Sequence, residues 1–363
     1  MEPPSASERR ADPAPALIGW DIGGAHLKAA AADAAGRIRT VVQEPCPLWQ
    51  GQGELRAALE RVWARLGPGP GCRHAITMTG ELADIFPDRT TGVLALVRMM
   101  IDHCPPDTVA VFTGSGEFLQ AEAVQAKDAP AIASANWLAS GLWVATRLPE
   151  ALLVDIGSTT TDLVPIWDRQ PRPRGFTDGE RMGFDELLYT GVVRTPVMAV
   201  VERAPLEGTW VGVMAEQFAT MADVYRLTGE LPEQADQLPA ADGRGKTPTD
   251  SARRLARMFG RDGLSAALER WRRVAWYVRE RQLMRLHAGV ECQLSRGLLG
   301  PAAPLVGAGS GRFLVRELAA RLRRPYRDFD ELFPLPPEDG GFRPADCAPA
   351  AALAALALER GRR

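Results

Sequence analysis

Apolar side chains fall in short runs along this chain, and the first run sets a motif. Leu17, Ile18 and Trp20 lead into Asp21-Ile-Gly-Gly24, after which Leu27 to Ala32 resumes the apolar run. This grammar predicts two strands joined by a tight turn, because glycine takes the backbone angles that such turns demand. The same order returns at Leu152-Leu-Val-Asp-Ile-Gly157, followed by Ser158-Thr-Thr-Thr161 and Asp162-Leu-Val-Pro-Ile166. Between the copies the hydrophobic period alternates, predicting helices near 54–66, 91–102 and 133–146 and strands around 74–78 and 108–112. Alternation of this kind implies an α/β layer architecture.

Beyond the second turn, 165–195 is rich in Pro, Gly and Arg, and 231–250 reads as a polar surface loop. Leu264, Leu268, Trp271, Ala275 and Val278 then recur at spacings of four and three. They predict a long packing helix with a solvated charged face. From Pro304 to Leu318 the order is strand, glycine turn and amphipathic helix, whose opening backbone N–H groups can face an anion. Residues 1–16 read as a loose tail. The longest apolar stretch, the alanine-rich Cys347 to Leu358, falls short of the roughly 20 residues that span a bilayer. A soluble cytoplasmic protein with no membrane contact is expected.

The chain has 363 residues, 46% apolar and 24% charged, with 43 basic against 45 acidic side chains. At about 100–200 residues per domain it should form two lobes with ample core. That excludes disorder and a disulfide-stapled miniprotein. A net charge of −2 argues against a nucleic-acid partner, which would call for a basic face. Cys46, Cys72, Cys104, Cys292 and Cys347 are odd in number and form no Cys-x-x-Cys pair, as expected of reduced thiols without zinc. Lys28, Lys127 and Lys246 are the only lysines, so a lysine beside a glycine turn stands out.

Two Asp-Ile-Gly-x turns put Asp21 and Asp155 at the mouths of two hairpins. The second adds the hydroxyls Ser158, Thr159, Thr160 and Thr161, and a third glycine turn runs from Gly307 to Gly311. Glycines let backbone N–H groups approach phosphate oxygens, hydroxyls add donors, and Lys28 adds a positive charge. Asp21 and Asp155 would repel phosphates unless a hard cation lay between, which points to Mg²⁺ retaining several waters.

Asp21-Ile-Gly-Gly-Ala-His-Leu-Lys28 and Asp155-Ile-Gly-Ser-Thr-Thr-Thr-Asp162 resemble the two phosphate loops of the superfamily of actin, sugar kinases, Hsp70 chaperones and acetate kinase. Val306 to Gly311 resembles its adenosine loop, and 133–146 stands where its connecting helix lies. Ala25 replaces the threonine that many members carry. Thr177-Asp-Gly-Glu-Arg181 and Tyr189-Thr-Gly-Val-Val-Arg-Thr-Pro196 resemble the hydantoinase/oxoprolinase branch. Thr77-Met-Thr-Gly-Glu-Leu-Ala-Asp84 and Ala135-Asn-Trp137, with the chain length, resemble its short members linked to tetrahydromethanopterin-dependent one-carbon metabolism.

The resemblance implies a two-lobed actin-like (ribonuclease H-like) α/β fold with an interlobe cleft. Its lobes would span 17–147 and 148–345, the second with a helical insertion at about 205–300, and a C-terminal helix within 346–363 would pack on the first lobe. It implies a transferase of methanofuran biosynthesis that joins an aminomethylfuran diphosphate to the phenol of γ-glutamyltyramine and releases diphosphate. The partners would be small molecules, a phosphorylated furan and a tyramine derivative, and a homodimer is compatible with the sequence. The branch's commoner chemistry gives the alternative, an ATP-dependent kinase or cyclic-amide hydrolase, and a nucleotide-regulated binding protein is a third reading.

Under the first reading Gly23, Gly24, Gly157, Ser158, Thr159, Thr160, Gly307 and Gly309 bind phosphate, Asp21 and Asp155 hold the metal, and Lys28 stabilises the leaving group. The phenol proton needs an acceptor. Glu81 is the first candidate, with Asp162 or Asp84 as alternatives. Asn136 and Trp137 suit an aromatic substrate. Arg194, with Thr195 and Pro196, suits a carboxylate or else a surface salt bridge. Trp137 and Tyr189 stack on substrate or belong to the core. His26 reads as an exposed turn residue, and His74, His103 and His287 have no ligand spacing.

Overall fold

The computed structural model describes residues 14–262, 267–334 and 341–361; most of the expected N-terminal tail, and Leu264, lie outside them. The first half runs β1 (Leu17–Ile22), β2 (His26–Ala32), β3 (Ile38–Pro45), α1 (Gln52–Leu66), β4 (Arg73–Met78), α2 (Arg89–His103), β5 (Val109–Phe112), β6 (Phe118–Gln120), α3 (Ala129–Ile132) and α4 (Asn136–Arg147). These strands form one sheet in the order β3-β2-β1-β4-β5-β6, with β1, β4 and β5 parallel and β2 and β3 antiparallel.

The second half runs β7 (Glu150–Ile156), β8 (Thr161–Trp167), β9 (Gln170–Pro171), α5 (Asp178–Gly183), β10 (Leu187–Leu188), β11 (Arg203–Leu206), β12 (Thr209–Gly212), α6 (Met221–Thr228), α7 (Pro248–Arg257), α8 (Leu268–Leu294), β13 (Leu305–Ala308), α9 (Arg312–Arg321), β14 (Tyr326–Asp328) and α10 (Ala348–Arg360). Its main sheet has the order β10-β8-β7-β13-β14. Antiparallel β7–β8 followed by parallel β13 and β14 repeats the β1–β2, β4, β5 arrangement. This duplication is the two-lobed actin-like fold.

Strand alternation decides which face meets which layer. Ile18, Trp20 and Ile22 of β1 share a core with Leu55, Leu59 and Val62 of α1 and with Val93 and Leu96 of α2. On the opposite face Leu17, Ala30 and Ala75 meet α4 and α10, which also cover Leu153, Val164 and Ile166 of the second sheet. The two sheets therefore enclose a layer made of α4 and α10. The alanines of α10 allow close approach: a Cβ at Gly19 of β1 would sit 2.1 Å from the Ala350 carbonyl oxygen.

The insertion β11–α8 packs Tyr225, Leu255, Trp271, Val278 and Leu286 into a third core shared with Leu152, Val154 and Leu163 of the second sheet. Residues 231–247 carry no regular element, but ion pairs anchor them. Buried Arg254 binds Asp223 at 2.7 Å and Asp242 at 2.9 Å, and Arg226 binds Asp236 at 2.6 Å. From this loop Gln237 donates to the Gln43 carbonyl and accepts from its side chain, both at 3.1 Å, tying the insertion to the first lobe. No described helix is long and apolar enough to cross a membrane.

Gly19→Val should lower stability by about 3 kcal/mol, the upper end of typical overpacking costs. Urea unfolding would measure it, and an unchanged midpoint would refute the contact between β1 and α10.

Candidate active site in the interlobe cleft

Each glycine turn closes in the same way. The Gly23 N–H donates to the His26 carbonyl at 3.0 Å, and the Gly157 N–H to the Thr160 carbonyl at 2.9 Å. Hairpin register then fixes what lies opposite each aspartate. Asp21 faces Lys28, whereas Asp155 faces Asp162. The first hairpin thus supplies a carboxylate with a cation and the second a pair of carboxylates.

Each turn is also strapped by a following segment. The Cys46 and Leu48 amides donate to the Ala25 and Gly24 carbonyls, while the Val193 and Arg194 amides both donate to the Ser158 carbonyl. A Cβ at Gly191 would lie 2.5 Å from the Ser158 carbonyl carbon, so this strap needs glycine. The first strap presents Trp49 and the second Arg194, and the guanidinium carbon sits 4.9 Å from the Trp49 ring centroid. Among the described residues no carboxylate pairs with Arg194.

Between the straps lies a cavity of about 470 Å³ lined from both lobes. Asp21, Gly23, Gly24, Lys28, Asp84, Asn136, Trp137, Gly157, Ser158, Thr159, Thr160, Asp162, Tyr189 and Arg194 all contribute. Asp155 stands behind this lining, close enough to act on Lys28 and Asp21 through space.

Gly307 and Gly309 do not line the cavity. The Gly309 N–H is taken by the Ala345 carbonyl at 2.7 Å and the Gly311 N–H by the Ile156 carbonyl at 2.8 Å. A Cβ on Gly309 would meet the Ile156 carbonyl oxygen at 2.2 Å and Asp155 Oδ1 at 2.5 Å. These glycines therefore serve close packing. A second cavity, of about 570 Å³, opens beyond this turn between Ser310, Arg312, Tyr326 and Phe342.

Burial dominates the electrostatics. It raises the Asp21 carboxyl, Asp162 adding to the rise while Lys28 and Asn136 oppose it. Lys28 Nζ lies 3.9 Å from Asp21 Oδ2, and Asp21 Oδ1 is buried without a partner. Burial pushes Asp155 up to about 7, with Lys28 opposing and Asp162 and Asp21 reinforcing. Burial works to lower Lys28, but Asp21, Cys347, Asp155 and Asp346 outweigh it and the amine ends above its ordinary value. Asp162 is answered by Arg181 at 2.7 Å.

His26 departs from the exposed position expected of it. It opens β2 in a buried position, and burial with the Lys28 and Arg194 charges takes its pKa down to about 3, so the ring is neutral. Trp137 is buried yet lines the cavity, with the Arg181 guanidinium 4.0 Å from its ring centroid. Tyr189 is 57% exposed.

Glu81 is buried behind the cleft in the short helical turn after β4. Burial raises its carboxyl, and Ser134 Oγ donates to its Oε1 at 2.9 Å. Ser134, Asp178, Arg181 and Trp49 line the cleft without having been singled out from sequence. Asp178 and Arg181 sit inside the Thr177–Arg181 motif, where Thr177 and Glu180 form a capping box. That box uses Thr177 and Glu180 and leaves Asp178 and Arg181 to face the cleft.

A family model described as Hydantoinase/oxoprolinase matches residues 73–324. The chain is 30% identical over 249 residues to a protein of Methanocaldococcus jannaschii named (4-{4-[2-(gamma-L-glutamylamino)ethyl]phenoxymethyl}furan-2-yl)methanamine synthase, covering 68% of this chain and 72% of that one. A protein of Methanococcus vannielii with the same name is 32% identical over 111 residues, 31% of this chain and 50% of that one. Among solved structures, the nucleotide-free acetone carboxylase superposes with a TM-score of 0.54 at 12% identity, over 93% of this chain and 69% of that one.

With divalent cations chelated, ionised Asp155 should cost stability. Its folded value near 7 lies above its unfolded one, so its contribution is complete below about pH 4 and fades as pH rises through 7. Asp155→Asn should therefore raise the melting temperature over wild type more at pH 8 than at pH 5. An equal difference at both pH values would contradict the assignment.

Proposed function

The chain belongs to the hydantoinase/oxoprolinase family, and within it we propose that this protein is an ether-forming synthase. It joins an aminomethylfuran diphosphate to the phenol of γ-glutamyltyramine and expels diphosphate. The observation that carries the reading is the convergence, in one cleft, of two phosphate-type glycine turns with Lys28 and of Arg194, which has no carboxylate partner among the described residues and lies over Trp49. The names of the two Methanocaldococcus and Methanococcus relatives support this product over a kinase reaction.

In this mechanism the bond between the furylmethyl carbon and the diphosphate oxygen breaks, and diphosphate leaves with the electron pair. The furan oxygen delocalises the positive charge left on carbon. Lys28, the hydroxyls of Ser158, Thr159 and Thr160 and the turn amides other than those of Gly23 and Gly157, which the His26 and Thr160 carbonyls take, stabilise the charge gathering on the leaving group. Arg194 holds the γ-glutamyl carboxylate. His26, neutral, adds no competing charge.

Asp21 fits a Mg²⁺ ligand, since its Oδ1 is buried and unpartnered and burial with the Asp162 charge raises its carboxyl, and Asp155, raised by burial and by Asp162 and Asp21, would back it from behind the lining. No group of three or more His, Cys, Asp or Glu able to hold a metal occurs among the described residues, so water and the diphosphate would complete the shell, as Mg²⁺ prefers. When bound, the ion would neutralise leaving-group charge. The five cysteines are free, which supports a reducing cytoplasmic setting.

Purified protein given the furan diphosphate, γ-glutamyltyramine and Mg²⁺ should release diphosphate and form the ether without ATP. Lys28→Ala should lower kcat about 100-fold, the usual effect of removing one transition-state donor. A requirement for ATP, or an unchanged rate in the variant, would return the protein to the kinase or amidohydrolase class.

A further inference from the structure

A buried hydroxyl bridges two carboxylates from opposite lobes. Ser134 Oγ lies 2.9 Å from Glu81 Oε1 and 3.3 Å from Asp178 Oδ2. Glu81 follows β4 of the first sheet, Asp178 opens α5 of the second lobe, and Ser134 stands just before α4. Arg89 of α2 binds Asp178 Oδ2 at 2.6 Å. Ser134 holds a φ of 52°, a left-handed conformation that a non-glycine residue keeps only when its surroundings impose it. Here it aims the hydroxyl between the two acids.

The two carboxylates differ in access. Asp178 and Ser134 line the cleft, and Glu81 does not. Glu81 Oε2 is buried with no partner, an arrangement that suits a neutral acid and penalises an anion. The single Ser134 hydrogen can serve Glu81 Oε1 or Asp178 Oδ2, so a proton on Glu81 frees it for Asp178. Asp178 Oδ1 makes no hydrogen bond among the described residues.

We propose that Asp178 is the catalytic base of the etherification, and that Glu81, Ser134 and Arg89 are positioning residues that hold it aimed into the cleft. The inference rests on the synthase reading. The phenol O–H bond breaks and its proton passes to the Asp178 carboxylate. The oxygen uses an electron pair to bond the furylmethyl carbon, diphosphate departs with its own pair, and Asp178 returns the proton to solvent before the next turnover.

The test compares wild type, Asp178→Asn, Ser134→Gly and Glu81→Gln on γ-glutamyltyramine and on its ring-fluorinated analogue, whose phenol gives up its proton more readily. Asp178→Asn should slow ether formation by about 100-fold, the lower end for a general base. The loss should shrink below tenfold with the fluorinated acceptor. Glu81→Gln, which keeps a neutral hydrogen-bonding side chain, should lose less than tenfold with either. Ser134→Gly suits the left-handed backbone and removes the hydroxyl with its Cβ; a loss of about tenfold is expected, again smaller on the fluorinated acceptor. Equal losses on both acceptors, or wild-type rates in both Asp178→Asn and Ser134→Gly, overturn the assignment. If Asp178→Asn does not fold, Ser134→Gly decides by the same criterion. Wild-type protein that forms no ether overturns the synthase reading itself, and that failure is seen before any variant is compared.

Discussion

Unbalanced negative charge between the two hairpins organises the cleft. Asp21, Asp155 and Asp162 come together with Lys28 among them. At about 4 Å and an effective dielectric near 20, one unit-charge pair is worth about 4 kcal/mol. Lys28 can therefore answer Asp21, and Arg181 answers Asp162, but Asp155 has no ion-pair partner among the described residues. Burial instead raises the Asp155 carboxyl, and under the proposed reaction a hard cation would supply the charge it lacks.

The apolar layers hold these charges in register. Both aspartates end strands whose flanking residues are fully buried: Trp20 and Ile22 beside Asp21, Val154 and Ile156 near Asp155. Neither strand can slide by one residue without turning a row of core side chains toward the opposite layer. Helices α4 and α10 lie between the sheets and fix the lobes against each other. The price of that closeness is small side chains, the alanines of α10 and Gly19 of β1.

Contacts across the lobes then shape what the cleft can do. Trp49 and Arg194 meet across it, Gln43 and Gln237 tie the insertion to the first sheet, and Ser134 bridges Glu81 and Asp178. Each pairs a residue of one lobe with a residue far away in sequence. In the proposed reaction, phosphate binding and proton transfer would fall to different contacts within one cleft.

Much of this was legible in the chain itself. The repeated Asp-Ile-Gly hairpin, the alternation of helix and strand and the helical period from Leu268 to Val278 are local signals, because strand pleat, turn geometry and helix pitch act over a few residues. They determined the duplicated α/β fold and put Asp21 and Asp155 at hairpin mouths. Tertiary structure decided the rest. His26 reads as a turn residue, yet its burial comes from the packing of both lobes around the first turn. Gly307 and Gly309 read as phosphate ligands, yet the backbone near Ala345 and Ile156 fills the space and takes the Gly309 and Gly311 amides. Glu81 and Asp178 are 97 residues apart in number, and only the meeting of the two lobes at Ser134 gives them a shared hydroxyl, since no period in a sequence encodes a contact between separate sheets.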